Sequence, residues 1–153
     1  MDETLQGPAG DAYLLATFLL GEATFGVRAE EVQEVVRPGK ITRVHNAPAY
    51  VVGIRNLRGR IVTVIDLAMR LALGQVDVGS ETRILIMDWQ GEPVGLMVDQ
   101  IADIISVSAD GIEPPPANVH GVRARNLRGV CRSNERLAAI LDLGTTLDLN
   151  NAD

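Results

Sequence analysis

Aromatic side chains are scarce in this 153-residue chain, which has two Phe, two Tyr and one Trp. So few rings leave little surface on which single-stranded bases could stack. The net charge of −6 also argues against a surface that wraps a phosphate backbone. Nucleic acid is therefore not an expected partner. Cysteine occurs once, as Cys131, which excludes an internal disulfide and a multi-cysteine zinc site. A lone cysteine of this kind reads as a small, half-buried apolar residue. No apolar run approaches the roughly 20 residues that a membrane span needs. The opening MDETLQGPAGDAY is acidic and small-residued, unlike a basic, apolar signal peptide. These features lead us to expect a cytoplasmic protein without direct membrane insertion.

The common signs of catalysis are missing as well. No GxSxG, GxGxxG or GxxxxGK[ST] stretch occurs. The two histidines, His45 and His120, stand beside turn residues, and Cys131 has no histidine near it in sequence. No nucleophile, base and orienting group can be assembled from this set. The expectation is a non-enzyme that needs no cofactor and no metal.

What the chain has is short, β-branched runs. YLLATFLL (13–20), ATFGVR (23–28), VQEVV (32–36), GIRNL (53–57) and RIVTVID (60–66) read as strands. So do TRILIMDW (82–89), EPVGLMVD (92–99), ADIISV (102–107) and RLAAILD (136–142). Only LAMRLAL (67–73) and LGTTLDL (143–149) read as helical, each preceded by an aspartate, Asp66 or Asp142, able to cap a first turn.

An internal repeat organises these pieces. With a shift of 69, GVRAEEVQEVV (26–36) lies over GLMVDQIADII (95–105). With a shift of 76, GIRNLRGRIVTVIDL (53–67) lies over GVCRSNERLAAILDL (129–143). RIVTVID and RLAAILD are apolar on both faces and so need cover on both sides. A unit of this size makes a marginal core alone, whereas two packed together stabilise each other. The reading is all-β, with two five-stranded barrels sharing an apolar seam and a repeat boundary near 74–82. Subdomains are expected at about 13–78 and 79–148, with flexible tails at 1–12 and 149–153.

Thirteen of the fourteen basic residues are Arg, and eight of these fall within 55–60 and 123–136. Arg is favoured at recognition surfaces because its planar fork makes several directed bonds. The turn Asn56-Leu57-Arg58-Gly59 has no counterpart in the repeat, where Arg132-Ser133-Asn134-Glu135 stands in register. A second NLRG at 126–129 is out of phase and is given no function.

NAPAYVVGIRNLRGRIVTVIDLAMRL (46–71) resembles the signature stretch of the CheW family of bacterial chemotaxis coupling proteins. The resemblance extends to TFGVRAEEVQEVVRPGKITRV (24–44), ILIMDWQGEPVGLMVDQIADIISV (84–107) and IEPPP (112–116), covering about 13–148. It implies two intertwined five-stranded SH3-like barrels with short helices, in one CheW-like domain. It also implies a non-catalytic adaptor between methyl-accepting chemoreceptors and the regulatory domain of the histidine kinase CheA, recruited to membrane-associated arrays. Carried over by motif, Val32, Glu34, Arg58, Val98 and Ile101 become candidates for the chemoreceptor cytoplasmic tip. Asn56, Leu57 and Gly59 complete the recognition turn, and Ile41 and Arg43 become kinase-side candidates. Val32, Val98 and Ile101 are also what an ordinary core strand would carry. Two alternatives remain open: an adaptor of a non-flagellar chemosensory system, and a small barrel binding a ligand or nucleic acid.

Overall fold

The computed structural model describes residues 12–133 and 135–148. The first repeat supplies β1 (Ala12–Leu20), β2 (Ala23–Arg28), β3 (Glu34–Val36), β4 (Val51–Leu57), β5 (Arg60–Asp66) and the one-turn helix α1 (Leu67–Arg70). The second supplies β6 (Arg83–Trp89), β7 (Glu92–Val98), β8 (Gln100–Ser108), β11 (Leu127–Ser133), β12 (Arg136–Leu141) and α2 (Leu143–Thr146). Between β8 and β11 lies a small ribbon of β9 (Asn118–Val119) and β10 (Val122–Arg123).

Two five-stranded sheets result, ordered β11-β12-β2-β1-β8 and β4-β5-β7-β6-β3. Replacing each strand by its repeat partner converts one order into the other. The registers agree too. Thr63 opposite Val94 in the parallel pair β5–β7 corresponds to Ala139 opposite Phe25 in β12–β2. The repeat read from the sequence is thus a structural two-fold.

The sheets nevertheless cut across the division at about 78/79. Each repeat lends its first hairpin to the other repeat's sheet, β1–β2 to one and β6–β7 to the other. The parallel contacts make this possible, since parallel neighbours cannot be joined by a tight turn and must come from distant parts of the chain. Of the expected tails, Ala12 begins β1, and residues 1–11 and 149–153 lie outside the described residues.

Among the described residues, an isolated bridge closes each sheet on itself. In one barrel Thr42 and Ile54 exchange two hydrogen bonds of 2.8 Å, joining the segment after β3 to the far edge strand β4. In the other, Glu113 and Val130 do the same at 2.8 and 2.9 Å, joining the segment after β8 to β11. Closure of this kind removes long exposed edges.

The seam between the barrels belongs to one large cluster containing Phe18, Phe25, Val27, Ile65, Leu96 and Ala139, all at 0% exposure. A smaller cluster of Leu15, Val107, Cys131, Ala138 and Ile140 fills the barrel of β1, β2, β8, β11 and β12. Both helix caps form as the sequence indicates. Asp66 accepts the Met69 N–H at 3.0 Å, and Asp142 accepts the Thr145 N–H at 3.2 Å. Asp66 also accepts the Val76 N–H, so one buried carboxylate serves two backbone donors. The helices are shorter than the apolar pattern suggests. Ala72 has a left-handed φ of +63°, and the Leu73 N–H turns back to the Ala68 carbonyl at 2.7 Å, which ends α1.

Candidate functional site

The β4–β5 hairpin ends in a two-residue turn between the paired Leu57 and Arg60. Both turn residues are left-handed, Arg58 at φ +52° and Gly59 at φ +87°. That is the geometry whose twist matches two antiparallel strands, and Asn-Gly is its usual occupant. Arginine in the first position is uncommon, because a side chain there crowds the backbone. Asn56 steadies the turn by accepting the Gly59 N–H at 3.0 Å.

The unusual backbone points the Arg58 side chain to a defined partner. Its Nη2 donates to Glu34 Oε1 and forms an ion pair with it. Glu34 begins β3, the opposite outer strand of the same sheet, so this pair ties the two edges of the barrel at one rim. The hydrogen bond and the charge of Glu34 together hold the guanidinium pKa above its ordinary value. The Arg58 side chain is 67% exposed and that of Glu34 32%, so the bridge presents polar atoms to solvent. Pairs this open contribute little to stability.

The other candidates are placed differently. Val32 is half-buried against the core just before β3, and Leu57 is half-buried beside the turn. Ile101 on β8 is half-buried and stands opposite Phe18. Val98 is 0% exposed and sits in the core, so its side chain presents no surface to a partner. The crossover it belongs to is held by Asp99, which accepts the Gly21 and Asp77 N–H groups at 2.5 and 2.9 Å. Ile41 is half-buried and Arg43 exposed, on either side of the bridging Thr42. Arg55, read from sequence only as part of a basic patch, donates to the Arg37 carbonyl at 2.8 Å and anchors the approach to that bridge.

Arg58 and Glu34 are 24 residues apart, and no local signal joins them. The helix arginine Arg70 also escaped the sequence reading. It donates from Nε and Nη2 to the Thr146 and Thr145 carbonyls at 2.8 and 3.1 Å, locking α1 to α2. Among the described residues, no group of three or more His, Cys, Asp or Glu is placed to hold a metal ion.

Over residues 15–150 the chain matches the family described as the CheW-like domain. The chain belongs to the CheW family. The chemotaxis protein CheW of Treponema pallidum is 32% identical over 137 residues, covering 87% of this chain and 81% of that protein. That of Klebsiella aerogenes is 31% identical over 134 residues, covering 88% and 80%. A crystal structure of the scaffolding protein TtCheW from Thermoanaerobacter tengcongensis superposes with a TM-score of 0.84 at 30% identity, covering 92% of this chain and 91% of that one. Membership makes this CheW-family chain a chemotaxis adaptor of the scaffold kind, built on the intertwined double barrel. Among the described residues no helix is long and apolar enough to cross a membrane.

Cys131 stands in the small core cluster at 3% exposure, and burial pushes its thiol pKa up. A thiol that is both shielded and protonated reacts slowly. Ellman's reagent at pH 8 should therefore label native protein at least about tenfold more slowly than protein unfolded in urea. Equal rates would show that the barrel opens readily.

Proposed function

We propose that this CheW-family adaptor couples the cytoplasmic tip of a chemoreceptor to the regulatory domain of a CheA-type histidine kinase, without catalysing a reaction. It would act at membrane-associated receptor arrays, held there by its partners. The observation that carries the reading is the match along nearly the whole chain to proteins named for chemotaxis, one of them described as a scaffold.

On this reading the receptor side comprises Val32, Glu34, Arg58 and Ile101, with Asn56, Leu57 and Gly59 shaping the turn. Val98 supports the crossover from within. The exposed guanidinium at the hairpin tip, paired with Glu34 at the barrel rim, supports a recognition role for Arg58. Half-buried Val32 and Ile101 suit the apolar face of an amphipathic helix, a common docking mode. Ile41 and Arg43 form the kinase side, on the barrel that carries Glu34 and Arg58, whereas Ile101 lies on β8 of the other sheet.

Cosedimentation with a receptor cytoplasmic fragment and copurification with a kinase regulatory domain test the proposal. Loss of both interactions would sink it. Arg58→Ala should weaken receptor cosedimentation while changing unfolding free energy by only about 0.5 kcal/mol, the usual range for surface positions. Asparagine, which tolerates a left-handed backbone, is the control. Arg58→Asn should keep the turn and show the same binding loss. Unchanged binding in both variants would make Arg58 a structural residue.

A further inference from the structure

The arginines clustered at 123–136 in sequence scatter in space, but two of them meet an arginine from the other repeat. A groove of about 380 Å³ is lined by Tyr50, Met69 and Arg70 from one side and by Arg123, Arg125 and Asn126 from the other. Its remaining lining residues, Leu71, Ala72 and Gly121, are uncharged. A protein of net charge −6 thus presents a groove lined by Arg70, Arg123 and Arg125, the last with a partner of its own, and by no acidic side chain.

Arg70 is held in advance of any ligand. Its guanidinium lies 5.2 Å from the centre of the Tyr50 ring, and Nε and Nη2 are taken by the carbonyls at the end of α2. Carbonyls fix the group without neutralising its charge, and Nη1 makes no hydrogen bond among the described residues. Arg123 is exposed and has neither an ion pair nor a hydrogen bond from its side chain among the described residues. Preorganised guanidinium groups bind carboxylates through short, charge-assisted pairs. The apolar surface of Tyr50, Met69 and Leu71 lies between these charges, and the volume falls in the range that holds a substantial ligand.

We propose that this groove docks a short segment of a partner protein in which acidic and apolar side chains alternate. Inorganic phosphate would leave the apolar walls uncovered, so the mixed lining favours a peptide. The overall negative charge does not forbid such binding. At physiological ionic strength screening acts over about 8 Å, so acids farther off than that weigh little on Arg70 and Arg123. The site is separate from the Arg58 turn, and the proposal stands whether or not the receptor and kinase are the partners.

Anisotropy of a fluorescein-labelled decapeptide alternating Glu and Leu tests it, with a Lys-Leu decapeptide as control. The acidic peptide should bind, and the basic one should not. Arg123→Glu should raise Kd at least about tenfold, as should raising NaCl from 50 to 500 mM, both on the scale of losing a charge-assisted pair. The melting temperature of the variant reports its folding. If Arg123→Glu does not fold, Arg123→Gln serves instead, with an expected loss of about threefold. In NMR spectra, the Nε–H signals of Arg70 and Arg123 should shift on titration. Absence of binding, or a Kd unchanged by the variant, overturns the proposal. So does full competition by 10 mM inorganic phosphate or by phosphatidylserine vesicles, which would mark a general anion or lipid site.

Discussion

Gly53→Ala is expected to cost about 2–5 kcal/mol of folding stability, the sum of a lost bridge and a strained backbone. Gly53 has a φ of +152° at the bulge where β4 slips register between Val51 and Gly53. A Cβ there would lie 2.2 Å from the Thr42 carbonyl oxygen and 2.8 Å from its carbon. Those atoms are backbone, and they belong to the Thr42–Ile54 bridge that closes the barrel. The chain can admit the methyl only by giving up the bridge. Its two hydrogen bonds are worth about 0.5–1.5 kcal/mol each, and a side chain forced into an unsuitable backbone region adds about 1–2 kcal/mol. The repeat partner, Gly129, supplies an internal scale. Its Cβ would first meet the Ile112 side chain at 2.6 Å and then the Glu113 oxygen at 2.9 Å. A side chain can move where a carbonyl cannot, so Gly129→Ala should cost less than Gly53→Ala. Urea unfolding of both variants checks the ranking. A loss below about 1 kcal/mol for Gly53→Ala would mean that the closure is dispensable.

Phe25→Ala should cost about 3–5 kcal/mol, the usual figure for removing a fully buried aromatic ring. The chain's two phenylalanines meet across the β1–β2 pair, their centroids 6.3 Å apart and their rings 18° from parallel. Phe25 also stands opposite Ala139 on β12, in the parallel contact between the two repeats. On a further side it meets the edge of His120, 5.6 Å away, whose Nε2 lies 3.1 Å from the Leu137 carbonyl oxygen. Removing the ring therefore opens a cavity at the seam and undercuts the β9–β10 ribbon. Phe25→Leu keeps most of the volume and should cost less than about 1.5 kcal/mol. Similar losses for the two variants would show that the site relaxes around whatever it holds.

Much of this architecture was visible in the residues. ATFGVR and RIVTVID begin and end where the strands do, because each follows a glycine-containing turn and is rich in branched side chains, and RIVTVID ends at the Asp66 cap of α1. The aspartate caps were visible because an N-cap is a local arrangement. The two offsets of the repeat also survive, and the change from 69 to 76 makes room for the β9–β10 ribbon. What could not be read is what long-range pairing decides. A repeat in sequence does not say whether each hairpin stays with its own copy, and here neither does.

The candidate site shows the same limit. Arg58 stood out because the matching turn of the repeat, between the paired Ser133 and Arg136, carries different residues, but its bond to Glu34 depends on barrel closure. Val98 and Ile101 look alike as β-branched residues, yet the crossover buries Val98 completely and leaves Ile101 half-open. The arginine-rich stretch looked like one patch, whereas only Arg123 and Arg125 join Arg70 in a groove.

The exchange of hairpins has a consequence for how the molecule comes apart. Neither barrel contains a complete set of strands from one half of the chain, so neither can survive the loss of the other. Unfolding should be a single cooperative transition, identical by Trp89 fluorescence and by circular dichroism, with no half-melted species. Refolding has to bring strands together across much of the sequence before either sheet closes, which places this protein among the slower small folders. The two halves expressed as separate chains should each be unstructured and should recover a native spectrum only when mixed.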